Sequence, residues 1–265
     1  MVRWRPSAFA LVSALVVTSG AAAEPVRVRF AEGSLHGFLA LRTPDGKLVA
    51  TGDNLQSVRG RTVTSRLLLQ FVDGSTSDET AVFTQGKTFR LVSDRVVQKG
   101  PFFKMPMTMT VDGKTGVAVV KATKDGEEKT YEERIEVPDD LANGLLGVLL
   151  KNVSTTAPKT TLSMILATPN PRLVKLVITP VGKERFGIGR RRRPVMHLKI
   201  EIELGGLAGV IAPLIGKEPP DAHLWLLESE VPTFLMSEAP LALGTPALRM
   251  QLVGPSWPSA WLAPR

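Results

Sequence analysis

Apolar and polar residues alternate along much of this chain. Val26, Val28 and Phe30 fall on one side and Arg27 and Arg29 on the other, the two-residue period of an extended strand. Between Thr62 and Phe71 the residues Val63, Leu67, Leu69 and Phe71 share a face, interrupted by Ser65, opposite Thr62, Thr64, Arg66 and Gln70. The alternation is cleanest over Val195 to Leu204: Met196, Leu198, Ile200, Ile202 and Leu204 line one side, and His197, Lys199, Glu201 and Glu203 the other. Strands of this kind have one covered and one wet face.

Turn signals separate these runs: Pro44-Asp45-Gly46, Asp73-Gly74, Gln85-Gly86, Asp112-Gly113 and Asp125-Gly126. Asp-Gly pairs supply the positive φ of tight hairpins. About ten strands joined mainly by hairpins imply an antiparallel meander, because parallel pairing needs crossovers of a dozen residues or more. One stretch departs from the two-residue rhythm. After Pro138-Asp139-Asp140, the residues Leu141, Leu145, Val148 and Leu149 recur at helical spacing as far as Asn152, with acids at the N-terminal end, which predicts a short apolar helix. A second apolar piece, Gly205 to Gly216, is too rich in glycine to be read as a helix. The expected fold is mainly β: a large antiparallel sheet curled into an unclosed barrel, with the Leu141 helix and the apolar loop in its mouth. A β-sandwich is the alternative.

The N-terminus bears on where this domain works. Arg3 and Arg5 precede the short apolar run Ala8 to Val17, and Ala21, Ala22 and Ala23 end the stretch before Glu24, the three parts of a cleavable export signal. The expectation is a signal peptide over 1–23, one β-rich domain over 24–265, and a periplasmic or secreted location. Cysteine is absent, which excludes disulfides, thiol catalysis and a cysteine-borne lipid anchor. The formal charge is +8, and much of the excess sits in Arg190, Arg191, Arg192 and Arg193. One local cluster is a poor footprint for wrapping a duplex, and no aromatics interleave with it to stack bases, so nucleic acid is not expected as a partner.

Catalytic chemistry leaves little trace. No nucleophile elbow is present. His36, His197 and His223 show no metal-ligand spacing, so no metal or cofactor is expected. Neighbouring acids such as Asp78-Glu79 and Asp139-Asp140 point to opposite faces of a strand and read as surface residues. Gly187-Ile188-Gly189 precedes a strand, so it lacks the helix whose N-terminus would receive a phosphate. The arginines that follow have either a solvated loop or an anionic membrane surface as their natural setting.

The leader, the hairpin ladder from Ser34 to Val137 and the tail Pro219 to Leu226, with Trp225 followed by Val231-Pro232-Thr233-Phe234, together resemble exported bacterial β-rich proteins similar to the periplasmic lipoprotein carriers. That resemblance implies an unclosed barrel that holds a lipid under helices. The ligand-binding candidates are then Met105, Met107 and Met109, whose flexible thioethers suit acyl chains, with Leu141, Leu145, Leu149 and Trp225. The functional expectation is a non-enzymatic lipid or apolar-ligand carrier. Its alternatives are an assembly protein with a filled interior and an exported hydrolase with unassigned acids.

Overall fold

The computed structural model describes residues 24–253, apart from 125, 154–156, 169, 189–190, 204–219 and 243. The leader 1–23, Arg190, Leu204 and the apolar piece Gly205–Gly216 lie outside the described residues.

The first half of the chain is a ladder of eight strands. These are β1 (Leu35–Arg42), β2 (Leu48–Arg59), β3 (Thr62–Phe71), β4 (Thr76–Gln85), β5 (Phe89–Lys99), β6 (Met107–Asp112), β7 (Val117–Lys124) and β8 (Glu127–Arg134). After helix α1 (Leu146–Asn152) come β9 (Thr160–Leu166), β10 (Arg172–Ile188) and β11 (Arg191–Glu203), then β12 (Ala222–Leu227), β13 (Thr233–Pro240) and β14 (Ala247–Leu252). Each strand pairs antiparallel with its neighbour in sequence from β1 to β8 and from β9 to β14. A further antiparallel pairing of β1 with β14, with Leu39 opposite Leu252, joins the two meanders into one sheet of fourteen strands. Among the described residues its edges, β8 and β9, are not paired with each other. The chain therefore forms the unclosed curled sheet, and the sandwich alternative falls away.

The curl follows from where the apolar faces meet. One core joins Val63, Phe83 and Val120 of the first meander to Leu176, Leu198 and Leu224 of the second. In β11, Leu198 and Ile200 are buried while Lys199 and Glu201 point outward, as period two requires. The segment 141–150 lies between the two arms. Ala142, Leu145, Leu149 and Leu150 are buried within this same core, and each leucine there contributes about 1.5–3 kcal/mol of burial.

Two sequence expectations need correcting. Val26 to Phe30 does alternate, with Val26 buried and Arg27 and Arg29 exposed, yet it forms no strand. It makes a single antiparallel bridge, Arg27 with Thr88, and its backbone bonds stop at Val28 N to Lys87 O and Phe89 N to Val26 O. The helix is also shorter than Leu141–Asn152. Gly144 takes φ +62°, a left-handed conformation that ends any helix begun at Leu141, so α1 starts only at Leu146.

The stretch before α1 has a different task. It covers the open edge of the sheet at β9. Ala142 N donates to Ser163 O at 2.7 Å, Leu141 and Ser163 form a parallel bridge, and the Asn143 side chain bonds both backbone groups of Ile165. An edge strand left bare would be a template for pairing with other chains. The other edge is guarded by charge: β8 carries Glu127, Glu128, Lys129, Glu132, Glu133 and Arg134 with most of its residues exposed. The N-terminal segment is tied to α1 as well. Glu32 Oε1 meets Lys151 Nζ at 2.5 Å and Glu32 Oε2 accepts from Gln56 Nε2 at 3.0 Å, while Asn152 Oδ1 accepts from the backbone N–H of Arg29 and Phe30.

Candidate functional site: an apolar cavity with a polar wall

The inner faces of the two arms do not meet everywhere. Between them lies a cavity of about 700 Å³, within the range of sites that hold small organic molecules. The first arm contributes Leu67, Val96, Met107 and Met109, and the second contributes Met164, Leu176, Ile200 and Ile202. Leu146, at the start of α1, and the turn around Leu241 close two further sides.

One wall is polar. In β4 and β5 the register sets Ser77 opposite Gln98, Glu79 opposite Val96 and Ala81 opposite Asp94. Paired residues share a face, so Ser77, Glu79, Asp94 and Gln98 all project inward, and all four line the cavity. Glu79 and Asp94 are diagonal neighbours, about 7 Å apart at Cβ. Asp94 is 2% exposed and Gln98 3%. The accessible part of Glu79 belongs to the cavity wall. Burial pushes the Asp94 carboxyl well above the usual carboxylate range, and the negative charge of Glu79 pushes it the same way, against a backbone bond from Arg95 that lowers it. Burial raises Glu79 too. Gly144 sits on this wall: a Cβ there would come within 2.4 Å of the Ala81 Cβ and 2.9 Å of Asp94 Oδ1. Only glycine both adopts its φ and lets the chain pass so close.

The structure distributes the residues singled out in the sequence unevenly. Met107 and Met109 line the cavity. Met105 lies before β6 and packs against the core beside it. Leu141, Leu145 and Leu149 are wholly committed to the core, and Leu146 takes the place on the cavity wall. Trp225 lies on the opposite face of its strand, because Leu224 and Leu226 on either side of it point into the core. There it clusters with Val195 and Met236, stacks on His197 with 4.4 Å between ring centroids, and donates from Nε1 to Glu184 at 3.3 Å. Arg191, Arg192 and Arg193 are exposed at the far end of the β10–β11 hairpin, opposite Ile188, Gly187 and Phe186.

The histidines are less scattered than their spacing implied. His197 Nε2 lies 2.9 Å from His223 Nδ1, and His197 Nδ1 lies 2.8 Å from Glu184 Oε1. Burial lowers the His197 pKa, and the attraction of Glu184 opposes it only in part. His36 stands apart, paired with Asp53. Among the described residues no group of three or more His, Asp or Glu side chains is placed to hold a metal.

Sequence reasoning missed the polar wall. It grouped Glu79 with Asp78 as surface residues, and only Asp78 is one: it makes a two-pronged bond to Arg66 on the outer face. The signal was present in the phase of the strand, since Glu79 is two residues from Ser77 and from Ala81, and four from Phe83, all of which point inward.

Comparisons with known proteins add the following. No family model matches the chain, and no curated protein matches it. Among solved structures, it is similar to the crystal structure of a beta-barrel-like protein of domain of unknown function DUF1849 from Brucella abortus, at 12% sequence identity and a TM-score of 0.47. The match covers 84% of this chain and 98% of that one.

Proposed function

We propose that this protein is a non-enzymatic periplasmic binding or carrier module for a lipid or another apolar ligand, held in the cavity between the two arms of the sheet. The observation that carries this reading is the cavity itself: about 700 Å³ of space walled largely by Leu, Ile, Val and Met. A void of that size lined by apolar side chains forfeits their dispersion contacts unless something fills it. The leader-like N-terminus supports export. The exposed Arg191, Arg192 and Arg193, with Arg190 beside them in sequence, supply a surface for anionic headgroups. The likeness of the sequence to the lipoprotein carriers points the same way.

Native mass spectrometry of protein purified from a periplasmic extract tests the reading. Bound lipid, displaced by an acyl fluorophore that then binds one to one, is the expected result. A bare polypeptide mass together with no fluorophore binding would return the protein to the assembly class.

A further inference from the structure

The polar wall allows the ligand to be specified further, on the footing that the cavity is a binding site. Asp94 Oδ1 and Gln98 Oε1 are buried without a hydrogen-bond partner among the described residues. Both side chains are more than nine-tenths buried and both line the cavity. The orientation of the Gln98 amide follows from its Nε2, which donates to Leu241 O at 3.3 Å and so leaves the oxygen as the open group. Buried polar atoms without partners are uncommon in folded proteins, and each asks for an explanation. Here both positions are acceptors on the inward face of β5, four residues and so about 13 Å apart along the strand, and Glu79 on β4 is the diagonal neighbour of each.

We propose that the cavity binds a single-chain amphiphile whose head is a primary ammonium group, with its N–H donors directed at the diagonal pair Asp94 and Glu79 and the alkyl chain lying along Met107, Met109, Leu146 and Met164. Three features select this chemistry. The wall offers oxygen acceptors, so the head must donate. An ammonium carries donors and no acceptor, and the diagonal spacing of Glu79 and Asp94, about 7 Å at Cβ, lets one nitrogen lie between their carboxyls. Neither Glu79 nor Asp94 takes part in an ion pair among the described residues, so a cationic head can supply the counter-charge that lets them ionise and is favoured over a neutral hydroxyl. A carboxylate head would bring an anion beside two buried carboxyls with no basic partner and is disfavoured. The raised pKa values on this wall agree: burial resists ionisation of both carboxyls, and a neighbouring cation offsets that resistance.

The test compares dodecylamine, dodecanol and dodecanoate by isothermal calorimetry on the mature protein after delipidation. A lysophosphatidylethanolamine arm distinguishes a lipid headgroup from a free amine as the source of the ammonium. The expected result is that an ammonium-bearing probe binds at least about tenfold tighter than dodecanol and dodecanoate. In Asp94→Asn and Glu79→Gln that preference shrinks to nothing while dodecanol binding is kept. Equal binding of the three dodecyl probes, or preference for dodecanoate, would overturn the ammonium head and leave the apolar-ligand reading standing. If none of the four binds to wild-type protein whose far-UV circular dichroism is that of a folded β-sheet, both fall. The ranking on wild-type protein decides the matter even if a variant fails to fold.

Discussion

The side chain of Asn143 occupies the place of a missing strand beside Ile165: Nδ2 donates to the Ile165 carbonyl at 2.9 Å, and Oδ1 accepts from the Ile165 N–H at 2.8 Å. These are the ladder bonds that a neighbouring strand would have made on the free side of β9. Because Asn143 and Ile165 are both buried, removing the amide strands two backbone groups away from water. Asn143→Leu is expected to lower stability by about 2–4 kcal/mol, at about 1–3 kcal/mol for each orphaned group, measured by urea denaturation. Light scattering at high concentration should also rise, since the edge is uncovered.

The ion pair between Glu32 and Lys151 joins the N-terminal segment to α1, and both side chains are largely withdrawn from solvent. Breaking such a pair from one side leaves a buried charge alone. Lys151→Met is therefore expected to cost about 3 kcal/mol. Adding Glu32→Gln to it should recover a substantial part of that loss, because the neutral amide can stay beside Gln56 without a counter-charge. A double-mutant cycle in thermal unfolding measures the difference, and strictly additive losses would show that the pair is not coupled.

Asp94 gives the stability a defined dependence on pH. Its carboxyl titrates well above the ordinary range in the folded protein, through burial first and the charge of Glu79 second, and near about 3.9 in the unfolded chain. Below that value both states hold the proton. As pH rises, the unfolded chain releases its proton and the folded one does not, so stability falls until the folded carboxyl ionises. Asp94→Asn removes this loss. The variant should match wild type near pH 4 and become the more stable of the two by pH 7; Glu79 retains its own share of the slope. A gap that stays constant with pH would contradict the assignment.

The arginine cluster makes a separable claim. If Arg190, Arg191, Arg192 and Arg193 engage an anionic surface, changing all four to serine should weaken binding to vesicles containing phosphatidylglycerol by a hundredfold or more, at about 1 kcal/mol per residue. Fold stability should be untouched, since the side chains of Arg191 to Arg193 are exposed. Undiminished sedimentation with vesicles at low salt would dismiss the surface role.

Much of the architecture was legible because a curled sheet with one covered face writes itself as alternation. The bounds of β3 and the inward set Met196, Leu198, Ile200 of β11 could be taken from the sequence directly. What alternation does not carry is how two arms pair across the chain. The Leu39–Leu252 pairing leaves no local mark, and the strap 140–143 looks like the first turn of a helix until Gly144 is seen at positive φ. The site was legible in half. Met107 and Met109 announce an adaptable surface, whereas Glu79 was hidden by its neighbour Asp78. A carboxylate on an inward position is recognisable only when strand phase is trusted over residue type.

The pairing of β1 with β14 also sets a sequence of events. Each meander contains only neighbour-to-neighbour pairings and can zip by itself, whereas the join between them closes the longest loop in the molecule and is the slowest entropically. The cavity draws its walls from both meanders, so it comes into existence only when that seam is sewn. On the proposed carrier role, guest capture is then a property of the completed molecule alone. A fluorescent ligand added during refolding should light up after the sheet has formed, and its mass-action stabilisation should act as a latch on the last step.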